Sequence, residues 1–206
     1  MQKLNIIKSY YEPNIGKDFP DYKILGWESD ESQRLRFDVL LGNVDLNGKK
    51  ILDVGCGLGN LIEYINQKGI KVNYTGVDIL EKMVERAKKK GLEAEFYCMD
   101  IFDDRHPFRK DQFDIVYASG TFNLNLGNNM EFLAKAAVKL FELSRSTLAF
   151  NLLNYMSPDK EEQYFYYKPD EVIDIIRGLP YQIDTVNIVE QYLKNDFTVI
   201  CRKTNR

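Results

Sequence analysis

A chain of 206 residues fits one domain with room for a small appendage, and its 44% hydrophobic and 29% charged content is that of an ordinary soluble globular protein. The net charge of −3 offers no bulk attraction to nucleic acid or anionic lipid, and no run approaches the roughly 20 apolar residues of a membrane helix. Cys56, Cys98 and Cys201 are too scattered for a disulfide framework or a zinc site, so each is expected to be a small buried or half-buried residue, with no metal bound. A cytoplasmic location is the expectation that remains, with nucleic acid disfavoured as a partner and the oligomeric state left open.

Residues 1–31 are rich in Tyr, Pro and Gly and show no clear periodicity; Glu31 to Val44 then reads as a helix. From Lys50 strand and helix alternate. Ile51 to Val54 is a short buried strand running into a Gly-rich turn, and Asn60 to Lys68 a helix stopped by Gly69. Tyr74 to Val77 is the next strand, followed by a helical stripe (Leu80, Met83, Val84, Ala87) closed at Gly91. Strands are expected at Glu95 to Met99 and Phe113 to Ala118, a helix at about Met130 to Leu143, and a strand at Thr147 to Leu152. Pro169 suits the first position of a helix ending at Gly178. The last two strands, about Gln182 to Val189 and Phe197 to Arg202, are too close for a helical crossover and imply an antiparallel hairpin. The predicted architecture is a three-layer, doubly wound α/β domain with a seven-stranded, mostly parallel sheet whose last strand is antiparallel. It spans residues 1–206, with 1–45 as an N-terminal helical cap segment and 46–206 as the core.

The chemistry concentrates in Asp53-Val54-Gly55-Cys56-Gly57-Leu58-Gly59-Asn60, between the first strand and its helix. Glycines suit a sharp turn that a ligand approaches closely, and doubly wound sheets bind ligands at this end of the strands. Asp53, Asp78 and Asp100 end three successive strands. Asp78, 19 residues beyond Gly59, stands where a carboxylate can accept from both hydroxyls of a ribose. Asp100, with the backbone of Ile101, is placed for an adenine edge, and Asp53 for the ammonium of an amino acid. A strand-end cap is the alternative for any one of them alone, but a weak one for three together.

These segments resemble the class I S-adenosylmethionine-dependent methyltransferases, the small stand-alone bacterial type in particular. ILDVGCGLGN is similar to their first motif, YTGVDI to the second, AEFYCMDIF to the third and FDIVYASG to the fourth, over roughly residues 30–202. The resemblance implies a Rossmann-like fold with S-adenosylmethionine as cofactor and S-adenosylhomocysteine as product. It implies that Asp53, Gly55, Gly57 and Gly59 line the methionine and adenosine portion, that Asp78 with Ile79 meets the ribose, and that Asp100 and Ile101 hold the adenine. Met83 and Ser119 would be flanking contacts, with packing or capping as the alternative. GWESDESQRLRFDVLL resembles a helix covering the cofactor, which makes Gln33 and Arg36 candidates for the methionine carboxylate; a solvated helix face is the other reading. Trp27 either closes over the site or anchors the N-terminal segment. A nicotinamide dehydrogenase shares the strand–glycine–helix–acid logic, but its fingerprint is GxGxxG, whereas the second and third glycines here are two apart.

The acceptor is far less legible. Candidate pocket residues are Asn123, in the loop after the fourth strand, and Tyr155, Tyr164, Tyr166 and Tyr167 after the fifth, with Tyr10 and Tyr11 as a lid. Surface packing is the alternative for each tyrosine. No catalytic base is assigned, because His106 falls in the charged stretch 103–107, which reads as a solvated loop. The Asn/Asp-Pro-Pro-aromatic motif of exocyclic-amine methylation of nucleobases is missing, since Ala118-Ser119-Gly120-Thr121 stands in its place; a Pro-Cys nucleophile is missing too. The basic run Arg86 to Lys90 reads as a solvated helix end. The expectation is therefore methylation of O or N on a small polar acceptor. The alternatives are methylation of RNA or protein, and a non-catalytic module that binds the adenosyl ligand.

Overall fold

In the computed structural model, which describes residues 2–103 and 105–204, the apolar runs become the strands of one seven-stranded sheet. These are β1 (Lys50–Val54), β2 (Asn73–Asp78), β3 (Glu95–Cys98), β4 (Phe113–Ala118), β5 (Ser144–Leu153), β6 (Ile183–Val189) and β7 (Asp196–Lys203). Their order is β3-β2-β1-β4-β5-β7-β6. The first five are parallel, because each step between them passes through a crossover; β7 runs antiparallel to both neighbours and inserts between β5 and β6. β1, with β2 on one side and β4 on the other, is where the winding reverses, so the loops leaving β1 and β4 diverge and open a crevice.

Helices cover both faces. On one, α6 (Asn129–Leu143) and α7 (Pro169–Arg177) pack Leu133, Ala137, Leu140, Val172 and Ile176 against the sheet. On the other, α3 (Asp30–Asn43), α4 (Asn60–Gln67) and α5 (Glu81–Lys89) contribute Phe37, Leu40, Leu61, Ile65, Val84 and Ala87. Among the described residues no helix is long and apolar enough to cross a membrane. Cys56 and Cys201 are buried, whereas Cys98, on edge strand β3, is exposed rather than half-buried.

The segment before α3, expected as a helical cap although residues 1–31 show no clear periodicity, is helical. It holds α1 (Gln2–Ile15) and α2 (Asp21–Ile24). Leu4, Ile7, Tyr11 and Ile15 form one face of α1 and join Ile24, Leu58, Leu80 and Met83 in a third apolar cluster above the glycine turn. Polar ties fix the cap to the core: Arg86 donates to the Ile15 carbonyl at 2.6 Å, and Lys90 reaches Asp21 and Glu63, both at 2.7 Å. The basic end of α5 is therefore not simply a solvated face, since two of its cations hold the cap in place.

Candidate donor and acceptor sites

The chain turns after β1 through three glycines of positive φ, and the structure gives each a reason. A Cβ on Gly55 would lie 2.5 Å from Thr121 Oγ1, and one on Gly57 2.6 Å from Leu25 Cδ2. The loop after β4 and the cap thus close directly onto the turn. Gly59 differs: a Cβ there would press on the Phe96 ring at 3.0 Å, so this glycine serves the packing of α4 against β3.

The three acids stand where their strands end. Asp53 is 4% exposed and accepts a short hydrogen bond from the Tyr74 hydroxyl. Burial raises its carboxyl to about 7, a rise that the Tyr74 bond opposes and the neighbouring charge of Asp78 reinforces. Asp78 accepts the Gly57 amide at 3.0 Å and the Leu80 amide at 2.9 Å; burial raises its carboxyl too, against those bonds. Asp100 accepts the Phe102 amide through one oxygen at 3.0 Å.

All three acids line a single cavity of about 1080 Å³, counted to its open mouth, beside the glycine turn. α1 roofs it with Lys3, Ile7 and Tyr11. A second cavity, of about 1190 Å³ on the same basis, lies between the cap, the loop after β4 and the segment 153–166. Tyr11, Leu25, Trp27 and Gly120 line both, so the two spaces meet at these residues. At the junction a Cβ on Gly120 would come within 2.8 Å of the Trp27 ring, and the Arg36 guanidinium lies 4.2 Å from the centroid of that ring.

A family model described as a methyltransferase domain matches residues 51–141, which include the glycine turn and all three acids. A Mycobacterium tuberculosis protein named as a methyltransferase is 30% identical over 164 residues, covering 75% of this chain and 93% of its own length. The chain belongs to the class I S-adenosylmethionine-dependent methyltransferase family. A ubiquinone biosynthesis O-methyltransferase of Vibrio vulnificus is 32% identical over 116 residues, but the match covers only 51% of this chain and 48% of the relative. Among solved structures, the magnesium protoporphyrin IX methyltransferase of Synechocystis PCC 6803 with bound S-adenosylhomocysteine aligns over 98% of this chain and 100% of its own. Its TM-score is 0.70 at 15% identity, a likeness of fold.

In this methyltransferase the donor-site expectations fall into three groups. Gln33, Asp53, Gly55, Gly57, Asp78, Ile79, Met83, Asp100, Ile101 and Ser119 all lie on the first cavity. Gly59 does not, for the packing reason above. Arg36 lies on the second cavity instead, with its guanidinium already engaged: Nε and Nη2 donate to the Asp196 carboxylate at 2.7 Å each, and Nη1 to the Ser32 carbonyl at 2.6 Å. The acceptor-pocket expectations divide as well. Asn123, Tyr164 and Tyr166 line the second cavity. Tyr167 is a fully buried core residue that donates to the Phe122 carbonyl at 2.9 Å, and Tyr155 is 48% exposed; neither lines either of these two cavities. His106, half-buried with Nδ1 accepting the Phe108 amide at 3.2 Å, also lies outside both.

Sequence reasoning missed Lys3, Ile7 and Leu25. The first two share the i, i+4 spacing of one α1 face with Tyr11, a signal hidden by Pro13 inside the helix and by the polar residues of the other face.

Proposed function

We propose that this methyltransferase transfers a methyl group from S-adenosylmethionine, bound in the first cavity, to an oxygen or nitrogen of a small polar acceptor bound in the second. The observation that supports this reading is the shared wall of Tyr11, Leu25, Trp27 and Gly120, across which a ligand in one space would adjoin a ligand in the other. Bringing two reactants into alignment contributes on the order of 7–11 kcal/mol when the geometry is good.

The residues present fit the donor. Three carboxylates and one ammonium, that of Lys3, face the first cavity, a balance that favours a ligand carrying positive charge. Asp53 would take the ammonium of the methionine portion with Gln33 beside it, Asp78 the ribose, and Asp100 with Ile101 the adenine, while Met83 and Ser119 flank. When bound, the donor supplies a methyl group already activated by its cationic sulfur, so the chain's own work is alignment and exclusion of water.

Calorimetric titration with S-adenosylmethionine, S-adenosylhomocysteine and NAD tests the donor assignment. Binding of both adenosyl ligands without NAD is expected; binding of NAD alone would overturn it.

A further inference from the structure

The four residues at the passage between the two cavities differ in what they offer a ligand. Leu25 is apolar, and Gly120 has no side chain and already gives its amide to Asn151 at 2.9 Å. Trp27 offers an indole N–H, a donor only, and a ring that already carries the Arg36 guanidinium 4.2 Å from its centroid. Tyr11 is the fourth, and its hydroxyl is the one side-chain oxygen of the set.

That hydroxyl has no hydrogen-bond partner among the described residues. Unlike Asn123 Oδ1, which is unpartnered but sealed from solvent, it is accessible. Asp78, on the first cavity, and Tyr164, on the second, both lie near enough to act on its charge, which puts it between the two spaces. Burial and the charge of Asp78 push its ionisation well above the ordinary tyrosine range, so it stands there as a neutral oxygen with lone pairs. The ring that carries it is braced. It packs into the third apolar cluster and meets Tyr10 edge-on at 4.7 Å, and the Tyr10 hydroxyl is hydrogen-bonded to that of Tyr164. Tyr164 belongs to a segment tied to the loop after β4: the Phe165 amide donates to the Asn123 carbonyl and the Asn125 amide to the Gln163 carbonyl, each at 2.8 Å.

We infer that Tyr11 distinguishes the donor from its spent product, its hydroxyl oxygen meeting the cationic sulfur and methyl that only the donor carries. This rests on the donor reading above. A methyl group that crosses from the first cavity to the second leaves from the passage, so the sulfur bearing it lies there as well. Donor and product share their adenine, ribose and amino-acid portions and differ by one methyl group and one positive charge. An oxygen lone pair turned toward that charge is favourable, and the same oxygen gains little from an uncharged thioether. The carboxylates of the first cavity are assigned to portions that both ligands carry, which leaves the distinction to the passage. There Leu25 and Gly120 bring no polar side chain, the Trp27 N–H has the wrong polarity for a cation, and its ring is already engaged by Arg36.

The test titrates the parent and Tyr11→Phe calorimetrically with S-adenosylmethionine and with S-adenosylhomocysteine, and unfolds both proteins in urea without ligand. The variant keeps the ring and loses only the hydroxyl. S-adenosylmethionine affinity is expected to fall about tenfold, the order of one interaction with a charged group, and S-adenosylhomocysteine affinity less than twofold. The ligand-free unfolding midpoint should not move, because the hydroxyl has no partner among the described residues to lose. A loss for S-adenosylhomocysteine as large as that for S-adenosylmethionine would put the hydroxyl on a portion the two share. No loss for either would take it off the donor altogether, and a lower ligand-free midpoint would make it a group that serves the fold. Each of these three overturns the assignment and leaves the donor site standing. Failure of the parent protein to bind either ligand would overturn the donor reading and the role of Tyr11 with it.

Discussion

Arg36 and Asp196, 160 residues apart in sequence, meet through two hydrogen bonds of 2.7 Å with their side chains almost wholly out of solvent. The contact extends further. Asn151 donates to the same Asp196 carboxylate at 2.9 Å and accepts the Gly120 amide at 2.9 Å, while Trp27 lies on the guanidinium. A residue of α3, the start of β7, the interior of β5 and the loop after β4 are thereby locked into one network, and Gly120 and Trp27, which form the wall between the two cavities, hang from it.

Asp196→Ala leaves the guanidinium buried without its partner, so it should cost about 3–5 kcal/mol of folding stability. Replacing both members, as Arg36→Met with Asp196→Leu, should recover much of that loss. Urea unfolding with an unchanged m-value checks both. Equal loss in the single and double variants would mean that the pair is not what holds these elements together.

Gly120→Ala probes the wall itself. The new methyl would sit 2.8 Å from the Trp27 ring, at a φ of +73° that side chains rarely adopt. Trp27 must shift, and with it the alignment between the two sites. Methyl transfer should fall at least tenfold in kcat once an acceptor is in hand, with S-adenosylhomocysteine affinity falling less. A larger loss in S-adenosylhomocysteine affinity than in kcat would place Trp27 on the donor side alone.

How much of this was readable beforehand follows from how local each signal is. The glycine turn and the acids at the strand ends are local patterns: each candidate residue is adjacent to the element that positions it, so the strand ends already single out Asp53, Asp78 and Asp100, which the structure brings to one cavity. The antiparallel hairpin of β6 and β7 was legible because the short turn between them leaves no room for a crossover. Arg36 was misplaced because its partner, Asp196, is a pairing that no local pattern contains. The tyrosine cluster split for a similar reason. Tyr167 follows Tyr166 directly, but on chain this extended neighbouring side chains face opposite ways, and one enters the core while the other lines a cavity.

Asp78→Ala should weaken S-adenosylhomocysteine binding by roughly 10- to 100-fold, the range for losing hydrogen bonds to a charged acceptor. The same change frees the Gly57 and Leu80 amides, so part of the loss will come through the turn. Asp78→Asn keeps an oxygen for one of those amides, and an intermediate affinity is expected from calorimetry. Parent-like binding by Asp78→Ala would remove this residue from the donor site.

Asp53 gives a pH dependence whose sign can be worked out. Its carboxyl titrates at about 7 in the folded protein against an ordinary value of 3.8, because burial outweighs the bond from Tyr74. Tyr74, Asp78, Cys56 and Tyr117 are the titratable groups facing it, and none is a cation. An ammonium bound there requires the ionised carboxylate. Affinity for S-adenosylhomocysteine should therefore be highest above pH 7 and fall up to tenfold per pH unit below it, about 1.4 kcal/mol each. The ligand-free fold shows the reverse trend. A raised carboxyl contributes stability that is fully present below its unfolded value and lost as pH rises through about 7, so the empty protein gives up stability on becoming ready to bind. Asp53→Asn keeps an oxygen for the Tyr74 hydroxyl and removes the buried charge. It should melt higher than the parent at pH 8, with the difference shrinking toward pH 5, while losing both the affinity and its pH profile. A parent-like pH profile in this variant would assign the ammonium to another residue, with Asp78 the next carboxylate to test.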